Sequence, residues 1–335
     1  MTRIAVLSAG SWGTSLSVVL ADAGNRVAIH ARRHDIAAAI NQRHENPRYL
    51  PGAVLPGRVT ATTDVAEAVQ GAEFVFLSIP AQTLRANLAL WAPLFPDDSV
   101  VVSLMKGVET GTGMRMSQVI AETAGIPAAR VAVLSGPNLA REIAVRQPAA
   151  TAIACTDEAV ADRIQAAAQT PYFRPYTTTD VTGVELGGVV KNVIALAVGL
   201  ATGMNLGENS RAMLVTRGLA ETARLGLALS ADPLTFAGLA GVGDLMATCS
   251  SPLSRNRTFG EHLGLGLTVD QAAAATGQTA EGVKSAESVL GLARRHGVDM
   301  PITDVVVKVL HGKVTVDQAA ALLMGRAAKQ ERYEA

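Results

Sequence analysis

The segment VLSAGSWGTS, residues 6–15, is the strongest indication of the fold of the first half of this chain. It joins a short apolar run to a helical pattern that begins near Ser11. A glycine-rich turn with the spacing G-x-G-x-x-G, placed between a first strand and a helix, is typical of dinucleotide binding. Gly10 and Gly13 stand at the second and third glycine positions, and Ser8 stands at the first. The segment therefore predicts a dinucleotide site with one departure from the usual pattern.

Serine at the first glycine position has a cost that depends on the backbone. The helix N-terminus offers N–H groups to the pyrophosphate, while Gly10 permits close approach and Gly13 lets the helix pack on the strand. A positive φ at Ser8 would cost about 1 to 3 kcal/mol of strain, and a negative φ would cost little. We expect Ser11 as the N-cap and Gly24 in a left-handed conformation after the helix. The sequence leaves the φ of Ser8 open.

Strand-like runs rich in Val, Ile and Ala alternate with helical patterns up to about residue 178. Such runs are typical of a parallel sheet covered on both faces, and long helical segments replace them afterwards. We predict a doubly wound (Rossmann) α/β domain over residues 1–179 and an all-helical domain over residues 180–335, with the ligand site in the cleft between them. The predicted strands are 3–7, 26–30, 74–79, 100–104, 131–134 and 150–155, and the predicted later helices are 183–201, 210–227, 281–295 and 304–310.

The composition bounds the class of protein. The chain has 335 residues, of which 49% are hydrophobic, and its 29 basic residues balance 29 acidic ones, so no overall field favours nucleic acid or an anionic membrane. The N-terminus lacks a signal-peptide pattern, and no apolar run approaches the roughly 20 residues that span a bilayer. Cys155 and Cys249 form no C-x-x-C pair and fit a reducing compartment. We expect a cytoplasmic protein without a nucleic-acid partner or stable membrane insertion.

The end of the second predicted strand reads His30-Ala31-Arg32-Arg33-His34, without an acid until Asp35. An acidic residue at this point holds the ribose of NAD, whereas arginine can pair with the 2′-phosphate of NADP. Arg32 and Arg33 therefore favour NADP, the alternative being two solvated arginines on a turn. The two histidines have i, i+4 spacing, but two cations lie between them, so we predict no metal site.

Polar residues after buried strands are the first candidates for chemistry. Lys106 follows the run 100–104, and Gly136 and Asn138 follow the run 131–134. Doubly wound sheets bind ligands at the carboxyl ends of their strands, which favours a site at these residues. A surface lysine and a plain turn are the alternatives.

The helical half carries two further candidates. Lys191 and Asn192 interrupt an otherwise apolar helix, and burial lowers the pKa of a lysine toward the range useful for proton transfer. A lysine at the helix edge with its ammonium in solvent is an equally open alternative. Asp244 lies in a glycine-rich turn, and Ser254 and Arg255 open a predicted helix whose N-terminus suits phosphate. The alternatives there are an N-cap serine and a surface arginine.

Seven blocks along the chain resemble, in order and approximate spacing, the bacterial NAD(P)-dependent sn-glycerol-3-phosphate dehydrogenases. The resemblance implies an N-terminal Rossmann domain, a helical C-terminal domain, and reversible reduction of dihydroxyacetone phosphate to sn-glycerol 3-phosphate with NAD(P)H, which supplies the backbone of phospholipids. The blocks are GSWGT (10–14), MKGVE (105–109), SGPNLAREIA (135–144), VELGGVVKNVIALAVG (184–199), GENSRAMLVTRGLAE (207–221), GVGDLMATCSSPLSRNRTFG (241–260) and AEGVKSAESV (280–289).

The resemblance also implies a set of site residues. The cofactor set is Ser8, Gly10, Ser11, Trp12, Gly13, Arg32, Arg33, Lys106, Ala140, Arg255, Thr279 and Glu281. The substrate set is Lys106, Gly136, Asn138, Lys191, Asn192, Asp244, Ser254, Arg255 and Asn256. Three positions depart from the family pattern: Ser8 replaces a glycine, Asn138 replaces a serine or threonine, and Thr279 replaces an aliphatic residue.

Both lines of reasoning predict one mechanism. Lys191 exchanges the proton of the reacting oxygen, and Lys106 and Asn192 polarise that oxygen. Asp244 holds Lys191 or a substrate hydroxyl, and Arg255 with Asn256 grips the phosphate. The alternatives are a related two-domain β-hydroxyacid dehydrogenase and a catalytically silent NADP-binding protein. The oligomeric state stays open, with a homodimer as one option.

Overall fold

The computed structural model describes residues 1–276, 281–327 and 330. Within this part of the chain, an eight-stranded sheet with the order β10-β9-β8-β7-β6-β1-β2-β5 occupies the first half, and β3 and β4 form a separate ribbon. The strands are β1 Arg3–Leu7, β2 Arg26–His30, β3 Glu45–Asn46, β4 Leu50–Val54, β5 Val59–Thr62, β6 Phe74–Leu77, β7 Val100–Ser103, β8 Val131–Ser135, β9 Ala149–Ala154 and β10 Phe173–Thr178.

Fifteen α-helices lie in the described part of the chain. They are α1 Ser11–Asp22, α2 His34–Arg43, α3 Val65–Val69, α4 Leu84–Trp91, α5 Met116–Ala124, α6 Ala140–Ala144, α7 Glu158–Ala168, α8 Val181–Gly203, α9 Glu208–Ala228, α10 Asp244–Ser250, α11 Arg255–Gly264, α12 Val269–Thr276, α13 Glu281–Arg295, α14 Pro301–Leu310 and α15 Val316–Met324. The predicted class, a Rossmann sheet followed by a helical domain, is confirmed. Gly24 has the expected positive φ, +97°.

The sheet departs from a fully parallel arrangement at one pairing. β1 pairs in parallel with both β2 and β6, whereas β8 and β9 are antiparallel, so β9 and β10 run against the other six strands. The connecting helix α6 has five residues and rises about 8 Å, while β8 is about 17 Å long. So short a helix does not return the chain to the start of β8, and the chain re-enters the sheet in the opposite direction.

The long helix α8 forms the core of the second half. Its residues from Gly183 to Ala201 are all buried, and α9, α10, α11, α13 and α14 pack around it. A helix that is apolar on every side is stable in water when neighbouring helices cover it. Among the described helices it alone has the length and composition to cross a membrane, and its most apolar stretch is wholly buried inside the protein. The Asp180 side chain caps the start of α8 by accepting a hydrogen bond from the Gly183 N–H.

Candidate active site

The glycine-rich turn after β1 contains a side chain in a backbone region that favours glycine. Ser8 has a φ of +138°, which answers the question that the sequence leaves open. Its Oγ accepts a hydrogen bond from the Gly10 N–H at 3.2 Å. A Cβ on Gly13 would lie 2.3 Å from the Ser8 carbonyl oxygen, so glycine is required there for α1 to pack on the turn. Despite the serine, the backbone of this turn packs closely against the start of α1.

The N-terminus of α1 is capped by Gly10, and the prediction of Ser11 as the N-cap is wrong. Ser11 is the first helical residue, and its Oγ donates to the Tyr49 carbonyl at 2.6 Å. No side chain among the described residues accepts from the first-turn N–H groups, which leaves them to a ligand anion. The buried Trp12 Nε1 also has no partner among the described residues. These donors fit the pyrophosphate of a dinucleotide.

The two arginines after β2 differ in what they contact. Arg33 forms a bidentate pair with Asp35, at 2.9 and 2.7 Å, and this guanidinium lowers the pKa of the Asp35 carboxyl to about 2. Arg32 is exposed and forms no ion pair within the described part of the chain. Arg32 is therefore the arginine that is open to a 2′-phosphate.

The start of α6 lies against α1. The Ala140 carbonyl accepts a hydrogen bond from the Ser15 Oγ at 2.7 Å. This contact brings the SGPNLAREIA segment next to the helix that begins at the glycine-rich turn.

Two lysines from different halves of the molecule share one buried carboxylate. The Lys191 Nζ lies 2.5 Å from Oδ1 of Asp244, and the Lys106 Nζ lies 2.5 Å from its Oδ2. The Asp244 side chain is 1% exposed, and those of the lysines are 10% and 15% exposed. Lys106 follows β7, Lys191 lies in the middle of α8, and Asp244 begins α10. The three predicted residues are thus brought together, and neither lysine is a solvated surface residue.

Further hydrogen bonds hold this cluster. The Lys106 Nζ also donates to the Gly136 carbonyl at 3.0 Å, and the Lys191 Nζ donates to the Thr248 Oγ1 at 2.6 Å. Sequence reasoning missed Thr248, although it lies four residues after Asp244 and so on the same face of α10. The spacing DxxxT was the available signal.

Burial has the largest effect on the charge of Lys106. It lowers the pKa of Lys106 to about 8, with Asp244 opposing the shift and the nearby Lys191 charge adding to it. Two ammonium groups face one carboxylate, so the cluster can attract an anionic ligand and stabilise negative charge that develops on an oxygen. Burial also raises the pKa of the Cys249 thiol to about 12, which makes this cysteine a poor nucleophile.

Asn138 lies beside the same cluster. Its Nδ2 donates to the Thr151 Oγ1 at 3.0 Å, and its buried Oδ1 has no partner among the described residues. Gly136, two residues earlier, has a φ of +155° and supplies the carbonyl that Lys106 contacts. A hydrogen-bond acceptor therefore remains for a ligand at this position.

Polar residues of α8 and α11 form a second group. The Asn256 Nδ2 donates to the Asn192 Oδ1 at 2.9 Å, and the buried Asn192 Nδ2 has no partner in the described part of the chain. Ser254 is the N-cap of α11, where its Oγ accepts from the Arg257 N–H at 3.3 Å, and Arg255 is the first helical residue. Of the remaining predicted residues, Thr279 lies outside the described residues, and Glu281 begins α13.

Comparison with known proteins places this chain in a family. Residues 3–161 match the N-terminal model of NAD-dependent glycerol-3-phosphate dehydrogenase, and residues 180–321 match the C-terminal model. The chain is 64% identical over 330 residues to glycerol-3-phosphate dehydrogenase (NAD(P)+) of Streptomyces griseus, with 98% of each chain covered. It is 62% identical over 334 residues to that of Thermobifida fusca, with 99% of each covered.

A solved structure gives the same result. The crystal structure of glycerol-3-phosphate dehydrogenase from Coxiella burnetii superposes with a TM-score of 0.91 at 35% identity, covering 97% of this chain and 99% of that one. With both family models matched in order and relatives similar over nearly the full length, this chain belongs to the NAD-dependent glycerol-3-phosphate dehydrogenase family, an oxidoreductase family that uses NAD(P).

Proposed function

We propose that this protein catalyses the reversible reduction of dihydroxyacetone phosphate to sn-glycerol 3-phosphate with NAD(P)H. The observation that supports this most is the buried cluster in which two ammonium groups share the Asp244 carboxylate. Asn192, which follows Lys191 in α8, has an unpartnered amide nitrogen, and Asn138, whose N–H contacts the Gly136 carbonyl, has an unpartnered amide oxygen. Donors, an acceptor and a net positive charge together suit a substrate that has a carbonyl, a hydroxyl and a phosphate.

The chemistry divides between the cofactor and the chain. NAD(P)H, when bound at the turn of Ser8, Gly10 and Gly13, supplies the hydride. The Lys191 Nζ gives a proton to the C2 oxygen as that oxygen gains negative charge, and takes it back in the reverse reaction. Asp244 and Thr248 each contact this ammonium and so hold it in one orientation.

The remaining site residues bind and orient the substrate. Lys106 and Asn192 polarise the C2 oxygen, and Asn138 accepts a hydrogen bond from the C1 hydroxyl. Arg255, at the first position of α11, binds the phosphate together with the positive end of that helix. Binding energy from the phosphate, which does not react, holds C2 in place for the reaction.

Replacing Lys191 tests the proposed proton donor. Lys191→Ala should lower kcat by about 10²- to 10⁴-fold, because positioned proton transfer contributes that much. Initial rates with dihydroxyacetone phosphate, measured with NADPH and with NADH, give kcat, and fluorescence titration shows whether NADPH still binds. The exposed Lys313 provides the control, since Lys313→Ala removes the same charge away from the site. Near-normal turnover of Lys191→Ala would overturn the assignment.

Replacing Arg255 tests the phosphate site. Arg255→Ala should raise KM for dihydroxyacetone phosphate, because a charge-assisted contact to the phosphate is lost. Turnover of dihydroxyacetone, which has no phosphate, should be the same in the variant and the wild type. An unchanged KM for the phosphate ester would remove Arg255 from the site.

Several finer points belong to the same proposal. Arg32 favours NADP over NAD, and the division between the two domains lies at residues 179 and 180. We also propose that the protein supplies glycerol 3-phosphate for phospholipid synthesis, that it is cytoplasmic and that it forms a homodimer. Rates with carboxylate substrates and with dihydroxyacetone phosphate distinguish the alternatives. A β-hydroxyacid dehydrogenase would prefer the carboxylates, and a catalytically silent NADP-binding protein would turn over neither the carboxylates nor the phosphate ester.

A further inference from the structure

A buried asparagine outside the main sheet contacts the glycine-rich turn. Asn46 lies in β3, in the short ribbon that β3 forms with β4, and it is 0% exposed. Its Nδ2 donates to the Ala9 carbonyl at 2.8 Å and to the Thr14 Oγ1 at 2.9 Å. Ala9 belongs to the turn and Thr14 lies near the start of α1, so one amide group joins the two segments.

The orientation of the Asn46 amide is fixed by its neighbours. The Tyr49 N–H, which can only donate, faces the Oδ1 at 3.3 Å, and the Ala9 carbonyl, which can only accept, faces the Nδ2. A carboxylate at this position would offer the Ala9 carbonyl no donor, and neither would an aliphatic side chain. The contact with the turn therefore depends on the amide group.

This contact fixes the peptide group that leads into α1. The C=O and N–H of a trans peptide point in opposite directions, so holding the Ala9 carbonyl also fixes the direction of the Gly10 N–H. Gly10 is the N-cap of α1, and its N–H contacts the Ser8 Oγ. Ser8 has a φ of +138°, and a strained backbone persists only where the surrounding structure holds it. Asn46 provides such a constraint from the side of the ribbon.

We propose that Asn46 is a positioning residue for the cofactor, which holds the turn and the start of α1 in the geometry that receives the pyrophosphate. The placing of the pyrophosphate at this turn rests on the proposed function. Donors that are already held in place bind an anion more tightly, because less ordering is needed when the anion arrives. Loss of the Asn46 amide should therefore weaken cofactor binding and leave the chemistry at Lys191 unchanged.

The ribbon has other anchors, so replacing Asn46 should have a local effect. The Ser11 Oγ donates to the Tyr49 carbonyl at 2.6 Å, which ties the ribbon to α1 at a second point. An apolar cluster joins β4 to α6 through Leu50 and Ala144, which are both buried. These contacts do not involve the Asn46 side chain.

The substitution Asn46→Leu tests this inference, because leucine fills the space without a donor or a charge. Fluorescence titration should show a Kd for NADPH that is about 10- to 10²-fold higher, the order of one hydrogen bond to a charged group. At saturating NADPH, kcat and the KM for dihydroxyacetone phosphate should stay near the wild-type values. The inhibition constant of adenosine 2′-monophosphate, which has no pyrophosphate, should also be unchanged. General damage to the domain would weaken both nucleotides alike.

Asn25 provides a matched control at the opposite end of α1. It is 6% exposed, and its Nδ2 donates to the Leu20 and Ala167 carbonyls, both at 2.8 Å. The 12 residues of α1 place it about 18 Å from the turn. Asn25→Leu loses two buried hydrogen bonds of the same kind, so it should lower stability about as much as Asn46→Leu and leave the Kd for NADPH unchanged.

Three results would overturn the positioning role. They are an unchanged Kd for NADPH in Asn46→Leu, an equal loss of adenosine 2′-monophosphate binding in that variant, and an equal rise of the NADPH Kd in Asn25→Leu. Asn46→Ala removes the same donor with a smaller side chain and answers the question if the leucine variant does not fold. A wild type that binds NADPH without turning over dihydroxyacetone phosphate would instead overturn the proposed function, and the binding measurements would still test Asn46.

Discussion

Ser8 carries its side chain at a φ of +138°, in a region that favours glycine. Strain of about 1 to 3 kcal/mol is expected for such a residue. This strain exists in the folded chain and not in the unfolded chain, so it lowers the stability of the fold. The Oγ has a separate effect, since it accepts the Gly10 N–H that the pyrophosphate would otherwise receive.

Substitutions at Ser8 separate these two effects. Ser8→Gly should raise the free energy of unfolding by about 1 kcal/mol or more. This is the strain energy that is relieved, minus the contribution of the one hydrogen bond that is lost. Ser8→Ala keeps the strained φ and loses the Oγ, so its stability should not rise. Both variants release the Gly10 N–H, so any gain in NADPH affinity should be equal in the two. Urea unfolding and NADPH titration measure these quantities, and a Ser8→Gly protein no more stable than wild type would contradict the strain.

At this scale, sequence reasoning identified residue types better than their contacts. Lys106 stood out because it follows a buried strand, Lys191 because it interrupts an apolar helix and Asp244 because it lies in a glycine-rich turn. The structure brings the three within hydrogen-bond distance. The inward orientation of Asn256 and the contact of Thr248 depend on how α8, α10, α11 and α13 pack. No local pattern encodes that packing.

The approach of α8 to the sheet depends on one glycine. A Cβ on Gly188 would lie 2.7 Å from the Ser135 Oγ and 3.3 Å from the Lys106 Cγ. Gly188 lies three residues before Lys191, and therefore on nearly the same face of α8. The close packing that brings Lys106 and Lys191 to one carboxylate thus needs glycine at this point.

Gly188→Ala should lower kcat by about 10- to 10²-fold, because a shift of about 1 Å in catalytic groups has an effect of that size. Gly291→Ala is the matched control, since Gly291 lies inside α13 with nothing within 4 Å of its Cβ position. That control should gain up to about 1 kcal/mol of stability from helix propensity and keep normal kcat. Steady-state rates of both variants test the packing, and equal kcat values would contradict it.

A buried carboxyl joins α9 to the start of α14. The Glu221 Oε1 accepts from the Ile302 N–H at 2.6 Å, and its Oε2 accepts from the Thr303 N–H at 3.3 Å and the Thr303 Oγ1 at 3.2 Å. Burial nevertheless raises the pKa of Glu221 to about 7. The ordinary value is 4.5, so between about pH 4.5 and 7 the folded state binds more protons than the unfolded state.

The contribution of Glu221 to stability should therefore be fully present below about pH 4.5 and be lost as the pH rises through 7. The loss is on the order of 3 kcal/mol for a shift of this size. Glu221→Gln cannot titrate, so the stability of the wild type relative to this variant should fall between pH 5 and pH 8. Urea unfolding at the two pH values measures the difference, and a constant difference would show that burial does not raise this pKa.

Among the elements, apolar strands and long helices were predicted well, and the edges of the sheet were not. The six predicted strands match β1, β2, β6, β7, β8 and β9 closely. The edge strands β5 and β10 were missed because they are partly exposed, and β10 contains Pro175, which an edge position tolerates. The reversal of β9 follows from the short α6, and strand sequence alone does not encode strand direction.

At the scale of the whole molecule, two largely buried ionic contacts within the described residues join the sheet half to the helical half. One is the pair of Lys106 and Asp244 at the candidate site. The other lies where Glu185 of α8 reaches the N-terminus of α5. It accepts from the Ser117 N–H at 2.8 Å, the Ser117 Oγ at 2.6 Å and the Arg115 Nη1 at 2.5 Å.

The arrangement of the two halves was predictable from the change in hydrophobic pattern near residue 178. The contacts that hold the halves together were not, because Glu185 reads as one polar residue in an apolar helix and Arg115 as a surface cation. Their pairing depends on the first turns of α8 and α5 meeting, which is a property of the assembled fold. Such long-range pairs are where sequence patterns stop being informative.

Removing Glu185 should therefore loosen the junction of the two halves. Glu185→Ala leaves the half-buried Arg115 guanidinium without its carboxylate, which should cost less than the roughly 3 to 5 kcal/mol of a fully buried pair, because Arg115 keeps some solvent and a hydrogen bond to the Ser117 Oγ. Replacing both Glu185 and Arg115 by methionine should recover most of that loss, because apolar residues of similar volume need no partner. Urea unfolding compares the stabilities, and hydrogen exchange should be faster at the first turns of α5 and α8 in the single variant. If the double variant is as unstable as the single one, the cost comes from lost packing around Glu185, and the ionic contact is not what joins the two halves there.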